Sequence, residues 1–203
     1  MNGSDPTEIV REGYDTIART YHEQRDRFKN RDLLSIFASA LPAASPVLDV
    51  GCGAGVPVAR FLVDSGFKVT GIDVSSSMLS LARSHVPEAE FLRMDMRELT
   101  FETSSFAGIC AFYSLFHIPQ EEHSGVIASF YRLLKRDGVL LFSTGRSAWQ
   151  GIQDFHGAPM FWSHPDHEAT RKMVIDAGFT VKMSEVQQYD GETQYWVMAN
   201  KST

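Results

Sequence analysis

The stretch that decides the fold is Val47-Leu48-Asp49-Val50-Gly51-Cys52-Gly53-Ala54-Gly55-Val56-Pro57. A short apolar run ends here in a glycine-rich loop, and a helical pattern follows from Pro57 to about Asp64. Glycines after a first strand permit a tight turn and let the backbone approach a ligand closely. The pattern therefore predicts a strand, a ligand-binding loop and a helix in succession.

Outward from this loop, strand-like and helix-like segments alternate. Further strands are predicted over 67–72, 89–94, 106–112 and 139–144, and helices over 76–85, 119–134 and 167–177. Two more β-patterned segments, 179–186 and 194–199, flank Asp190-Gly191, which is a turn signal. The order predicts an α/β fold: a Rossmann-like, doubly wound, mostly parallel seven-stranded sheet with a C-terminal antiparallel hairpin.

Composition narrows the class of protein. The chain has 203 residues, of which 43% are hydrophobic, and 19 basic against 25 acidic side chains give a net charge of −6. This length fits one domain over 1–203, with residues 1–45 as an N-terminal helical cap. The acidic excess argues against non-specific nucleic-acid binding, which depends on Lys and Arg. The two cysteines, Cys52 and Cys110, form no Cys-x-x-Cys pair and fit a reducing compartment.

Targeting signals are not recognisable at the start of the sequence. No basic segment followed by an apolar one is present there, and the apolar stretch 107–116 is shorter than the roughly 20 residues of a membrane helix. We expect a cytoplasmic protein, monomeric or homodimeric, without a membrane or nucleic-acid partner.

The residues around the glycine loop discriminate between ligands. A dinucleotide fingerprint needs glycine at position 56, which is Val56, and no Gly-Lys-Ser/Thr follows for a Walker loop. Asp49 would repel a pyrophosphate but attract a cationic ligand. Asp73 ends the second strand, where a carboxylate can accept both ribose hydroxyls, and Asp95 follows the third, where it can accept from an exocyclic amine.

Together these residues resemble the class I S-adenosylmethionine-dependent methyltransferases, in particular the small-molecule type. The resemblance runs from about Tyr14 to the end through Asp49-Val50-Gly51-Cys52-Gly53-Ala54-Gly55, Gly71-Ile72-Asp73-Val74-Ser75, Met94-Asp95-Met96 and the strand 106–116 with His117. It implies S-adenosylmethionine as cofactor, with the loop and Asp49 at its methionine end, Asp73 at the ribose and Asp95 with Met96 at the adenine. The expected cofactor-binding residues are Tyr14, Tyr21, Asp49, Gly51, Cys52, Gly53, Gly55, Asp73, Val74, Met78, Asp95, Met96, Phe112 and Ser114.

Methyl transfer mainly requires that the enzyme align the nucleophile with the carbon–sulfur bond, because the sulfonium already activates the methyl carbon. Tyr14 and Tyr21 are seven residues apart on one helix face, where they either close over the cofactor or pack in the core. His117, at the end of the fourth strand, is either a base for a protonated nucleophile or a histidine that bonds to backbone. Tyr14 and His117 are therefore the catalytic candidates.

The stretch 145–165 is predicted to be an irregular loop that serves as a substrate lid or seals a satellite core. Candidate substrate-binding residues are Tyr113, His117, Arg146, Trp149, Met160 and Trp162. His164-Pro165-Asp166-His167 lacks a recognised ligand spacing, so no metal is expected.

The expected substrate is a small, partly apolar molecule that accepts the methyl group on oxygen, nitrogen, sulfur or carbon. The pattern of amino-methylating nucleic-acid enzymes is absent, since Phe112-Tyr113-Ser114-Leu115 stands at its position. Three alternatives stay open: an RNA or protein methyltransferase, a non-catalytic S-adenosylmethionine-binding regulator, and an NAD-linked oxidoreductase.

Overall fold

The structure is a computed structural model that describes residues 5–24, 30–189 and 192–202. The predicted turn at Asp190-Gly191 lies outside these residues. The helices are α1 Pro6–Gln24, α2 Arg31–Ser39, α3 Val58–Asp64, α4 Ser76–His85, α5 His123–Leu133 and α6 His167–Asp176. The strands are β1 Pro46–Val50, β2 Lys68–Asp73, β3 Glu90–Arg93, β4 Phe106–Ala111, β5 Leu134–Thr144, β6 Trp149–Phe155, β7 Ala158–His164, β8 Phe179–Tyr189 and β9 Glu192–Lys201.

Seven strands form the central sheet, in the order β3-β2-β1-β4-β5-β9-β8. β1 to β5 run parallel, and β9 pairs antiparallel with both β5 and β8. The strand order reverses between β1 and β4, which is where open α/β sheets bind ligands at their carboxyl ends. The predicted α/β fold is confirmed.

Helices cover both faces of the sheet because the central strands are apolar on both sides. Every residue of β4 is buried. Leu48 and Ile109 pack with Phe130 of α5 on one face, while Phe37 of α2 and Leu62 of α3 belong to the cluster on the other. The carboxyl edge between these layers is left for a site.

The stretch 145–165 is not the irregular loop that the sequence predicts. β6 and β7 form a separate antiparallel hairpin, paired from Trp149↔His164 to Phe155↔Ala158. Its turn is His156-Gly157, both with positive φ (54° and 87°), which matches the right-handed twist of the flanking strands. The buried residues of β7, among them Met160 and Phe161, pack with Val10 and Ile17 of α1.

The predicted helix 119–134 is also shorter than expected. Pro119 is extended (ψ 135°), residues Gln120–Glu122 form a 3₁₀ turn, and α5 begins only at His123. The chain enters β5 at Leu134, which pairs with Phe106 of β4.

Candidate active site

A pocket, called the main pocket below, lies at the carboxyl ends of β1 to β4 and beneath α1. It encloses about 650 Å³ that protein atoms do not occupy, part of it open to solvent. It is lined by Thr7, Val10, Tyr14, Tyr21, Gly51, Gly53, Ile72, Asp73, Val74, Met78, Met94, Asp95, Met96, Phe112, Tyr113, Ser114, His117 and Ile118.

The glycine loop, residues 51–55, is folded by backbone geometry that favours glycine. The amides of Gly51 and Cys52 both donate to the Ile72 carbonyl, at 2.8 and 2.9 Å. Gly51 has φ +70°, and a Cβ there would lie 2.3 Å from the Ser114 Cβ. Gly53 has φ +53°, and a Cβ there would meet nothing within 4 Å. The loop is thus anchored beneath Gly51 and open at Gly53.

Asp73 is held in place by the loop and by the start of α4. Its Oδ2 accepts from the Gly53 amide and its Oδ1 from the Ser75 amide, both at 2.9 Å. Burial raises the pKa of Asp73, and the backbone hydrogen bonds oppose this rise in part. The carboxylate is therefore fixed in orientation, with lone pairs left for a donor in the pocket.

Three predicted loop residues do not line the main pocket. Asp49 is 1% exposed, and the Cys110 thiol donates to its Oδ1 at 3.8 Å. Cys52 is buried, and burial raises the pKa of its thiol. Gly55 faces Phe91 and α4, where a Cβ would come within 3.2 to 3.3 Å of its neighbours. These residues support the loop from behind.

Helix α1 covers the pocket and is fastened to α4 by Asp15. The Oδ1 of Asp15 accepts from the Ser75 hydroxyl at 2.7 Å and from the Ser77 amide at 3.0 Å. Burial alone would raise the pKa of Asp15, but these bonds and the charge of Arg11 hold it below its usual value. Sequence reasoning missed Asp15, because its partners are 60 residues or more away.

The pocket face of α1 carries both predicted tyrosines. Thr7, Val10, Tyr14 and Tyr21 all line the pocket. The Tyr14 and Tyr21 rings also pack edge to face, 5.6 Å apart. Thr7 and Val10 were missed, although they lie seven and four residues before Tyr14 and so share its helix face.

Tyr14 and His117 form a hydrogen-bonded pair whose direction is fixed. His117 Nδ1 lies 2.8 Å from the Phe161 carbonyl, which can only accept, so Nδ1 carries the proton. Nε2 is then an acceptor, and the Tyr14 hydroxyl donates to it at 2.9 Å. Burial lowers the pKa of His117 to about 4. His117 is therefore neutral at neutral pH, with its basic nitrogen already bonded to Tyr14.

Asp95 lines the pocket while Arg97 holds its carboxylate. The guanidinium donates to Asp95 Oδ2 through Nε (2.9 Å) and Nη2 (2.7 Å). The same arginine reaches Asp5 at the start of α1, with Nη2 3.2 Å from Asp5 Oδ2. The bonds to Asp95, outweighing burial, raise the pKa of Arg97. This ion-pair group joins the beginning of α1 to the loop after β3.

Tyr113 also lines the pocket, with a strained backbone (φ +56°). Its hydroxyl accepts from the amide nitrogen of Asn30, a residue only 3% exposed that comes directly before α2. Sequence reasoning missed Asn30, which belongs to no motif and lies 83 residues away along the chain.

The other predicted substrate residues lie outside the main pocket. Trp162 stacks against His117, with ring centroids 4.5 Å apart. Met160 is fully buried beneath α1, whereas Trp149 is 37% exposed. Arg146 lines a separate cleft. Ile72 and Ile118, which were not predicted, do line the main pocket.

Residues 5–24, 30–189 and 192–202 contain neither a candidate metal cluster nor a candidate membrane span. No group of three or more His, Cys, Asp or Glu side chains there is placed to hold a metal ion. No helix in this part of the chain is long and apolar enough to cross a membrane.

Known proteins share this fold and sequence pattern. A family model described as "Methyltransferase domain" matches residues 47–138. A ubiquinone biosynthesis O-methyltransferase of Actinobacillus pleuropneumoniae serotype 7 (strain AP76) is 33% identical in an alignment of 162 positions that covers 71% of this chain and 66% of that protein. A dTDP-3-amino-3,6-dideoxy-alpha-D-glucopyranose N,N-dimethyltransferase of Streptomyces fradiae is 31% identical in an alignment of 137 positions that covers 65% of this chain and 51% of that protein. The chain thus spans less than two thirds of the length of both.

A solved structure matches along the whole chain. The 1,6-didemethyltoxoflavin-N1-methyltransferase of Burkholderia thailandensis, with bound 1,6-didemethyltoxoflavin and S-adenosylhomocysteine, superposes with a TM-score of 0.77. The match covers 100% of this chain and 93% of that one, at 21% identity, and supports the fold. The family match over residues 47–138 and the curated relatives confirm the resemblance to the class I S-adenosylmethionine-dependent methyltransferases, a family whose cofactor is S-adenosylmethionine.

Proposed function

We propose that this protein transfers a methyl group from S-adenosylmethionine to a nucleophilic atom of a small, partly apolar molecule. The observation that carries the proposal is the main pocket itself. A fixed, half-buried carboxylate, Asp73, and an open glycine, Gly53, lie on one side of it, and the Tyr14–His117 pair lies on the other.

The residues of the pocket fit the cofactor chemically. Asp73 would accept the ribose hydroxyls, since its carboxylate is already oriented by two backbone amides. The open face of Gly53 leaves space for the methionine end to lie against the backbone. Asp95 and Met96 would hold the adenine, with Val74, Met78, Phe112 and Ser114 completing the walls. When bound, the cofactor supplies a methyl carbon that its sulfonium activates.

The positive charge of the cofactor fits the same surroundings. The Tyr14 and Tyr21 rings line the pocket, where aromatic faces favour a sulfonium. Asp49 lies behind the glycine loop and would act through its charge rather than by lining the pocket.

Tyr14 is the residue we place at the reacting atoms, and His117 is its positioning residue. Because the Tyr14 hydroxyl donates to His117, its oxygen presents lone pairs to the pocket. Proton uptake by His117 would have to break this bond, and its pKa of about 4 opposes that step at neutral pH. The pair therefore favours a nucleophile whose proton the protein need not remove before attack.

The covering of the pocket would keep water from the reaction. Asp15 fastens α1 to α4, and Arg97 fastens its first residues to the loop after β3. The buried face of β7 packs against the same helix. A small acceptor fits such a covered site, and the relatives named above are, by name, methyltransferases of small molecules.

A labelled-methyl assay tests the proposal. The protein is incubated with methyl-labelled S-adenosylmethionine and a panel of small phenols, amines and thiols, and both S-adenosylhomocysteine and labelled product are measured. We expect turnover with at least one small acceptor. Turnover confined to RNA or protein would contradict the substrate class, and cofactor binding without any turnover would identify a non-catalytic binding protein.

A further inference from the structure

A second cleft opens beside the main pocket, at the carboxyl end of β5 and the start of β9. It is lined by Phe116, Gly145, Arg146, Ser147, Trp162, His164, Thr193 and Gln194. Its wall toward the main pocket consists of packed rings. The Trp162 centroid lies 4.9 Å from that of Phe116 in the cleft and 4.5 Å from that of His117 in the main pocket. These packed rings separate the two cavities.

The charge in this cleft is positive, although the whole chain carries a net charge of −6. None of its lining residues is Asp or Glu. Burial lowers the pKa of His164, so its ring is neutral at neutral pH. Arg146 is exposed and forms no ion pair with any residue that the structure describes. A cleft with one unpaired cation favours an anionic group.

The groups around Arg146 suit a carboxylate on a flat ring. A guanidinium offers a planar fork of donors that matches the two oxygens of a carboxylate. Ser147, Thr193 and Gln194 add neutral hydrogen-bonding groups. Phe116 and Trp162 provide apolar ring surface in the same cleft.

We propose that the second cleft binds the carboxylate of an aromatic acid through Arg146. This site lies outside the main pocket, so the binding of the acid does not depend on the proposed function.

The Arg146 side chain can be changed without disturbing the fold. The contacts that the structure gives to Arg146 use its carbonyl oxygen, which accepts from the His167 amide at 3.0 Å and lies 3.2 Å from His167 Nδ1. Arg146→Gln leaves this backbone group in place. Arg136→Gln is the matched control, because Arg136 is an exposed arginine near the start of β5, whereas Arg146 follows the end of that strand.

The experiment compares two probes of nearly equal shape, 2-naphthoate and 2-naphthamide, by calorimetry at neutral pH without the methyl donor. Only the first carries a charge. We expect the wild type and Arg136→Gln to bind the acid about tenfold more tightly than the amide, and Arg146→Gln to bind both equally.

Three outcomes would overturn the anion cleft: equal binding of the two probes by the wild type, an unchanged preference in Arg146→Gln, or no binding of either probe at millimolar concentration. Failure of the proposed function is separately visible, since it would appear as absent methyl transfer in the labelled assay while the acid preference persists.

Discussion

The two halves of the carboxyl edge are built in different ways. The loop half consists of the ends of β1 to β3 with residues 51–55, and its ligand-facing geometry is made by backbone: positive φ at Gly51 and Gly53, and two amides on Asp73. The hairpin half consists of the ends of β4 and β5 with β6 and β7. There the geometry is made by side chains from distant segments, such as Tyr14, His117 and Trp162.

This difference indicates that the loop half binds the ligand common to the family, whereas the hairpin half selects the substrate. Backbone geometry allows few residue types at each position, so the loop half is constrained to bind one kind of ligand. Side-chain walls can be rebuilt by substitution while the sheet remains, which suits a half that must fit different acceptors. We therefore expect variants in the hairpin half to act on packing, acid stability or turnover, and variants in the loop half to act on cofactor affinity.

The largest expected effect separates two hairpin residues that were both predicted to bind substrate. Met160 is fully buried, and its Cε lies 2.8 Å from where a Cβ on Gly13 would be. Met160→Ala should lower the free energy of unfolding by about 3 kcal/mol, measured by urea denaturation. Trp149→Ala, at a residue 37% exposed, should cost well below about 1 kcal/mol. Equal losses would contradict the assignment of Met160 to the core.

The next largest expected effect is a loss of stability in acid, caused by two buried histidines. Burial lowers the pKa of His117 and of His123 to about 4, against about 6.5 in the unfolded chain. Between these values the unfolded state binds more protons, so the free energy of unfolding falls as the pH falls. At about pH 5 each histidine should remove roughly 2 kcal/mol relative to neutral pH.

Urea unfolding at the two pH values checks this expectation. In His123→Gln the fall between neutral pH and about pH 5 should be smaller than in the wild type by roughly 2 kcal/mol. His156→Gln is the control, because His156 is exposed, and its fall should match that of the wild type. The same fall in all three proteins would show that His123 is not buried in its neutral form.

The Tyr14–His117 pair should behave as one unit in catalysis. With the best acceptor of the panel, Tyr14→Phe and His117→Phe should each lower kcat/KM by about tenfold, and the double variant should be no worse than either alone. Tyr131→Phe, which removes a hydroxyl bonded to the Ser202 carbonyl, should leave kcat/KM unchanged. Multiplying losses in the double variant would mean that His117 has a role independent of Tyr14.

The smallest expected effect is at two glycines, of which only Gly53 lies in the loop half. Gly53 and Gly66 both have positive φ (+53° and +86°), and a Cβ on either would meet nothing within 4 Å. Alanine at each should therefore cost a similar amount of stability, about 1 kcal/mol. Only Gly53→Ala should also weaken S-adenosylmethionine binding in calorimetry. Unchanged binding would place the methionine end of the cofactor away from Gly53.

The loop half was predictable because each of its site residues belongs to a short sequence pattern at the end of a strand. Gly51 and Gly53 come shortly after β1, and Asp73 ends β2, in a part of the chain where strands alternate with helices. All three residues line the pocket. The hydrophobic periods also gave the seven strands of the sheet, although they placed the start of α5 too early, at Pro119 rather than at His123.

The hairpin half was not predictable from the same rules. β6 is mostly exposed and shows no period-two burial, so its strand is visible only through pairing with β7. The dipeptide His156-Gly157 is the sequence signal from which the turn could have been predicted. Asp15 and Asn30 act through partners 60 or more residues away, a relation that one sequence does not display.

The central claim is that Asp73 and the glycine loop bind S-adenosylmethionine, and calorimetric titration of the wild type and Asp73→Ala tests it most directly. The wild type should bind, and Asp73→Ala should bind about a hundredfold more weakly, because it loses charge-assisted bonds to two hydroxyls. Asp176→Ala, an exposed carboxylate of α6 that pairs with Lys172, should bind like the wild type. No binding by the wild type at millimolar cofactor, or equal binding by the wild type and Asp73→Ala, would contradict the account.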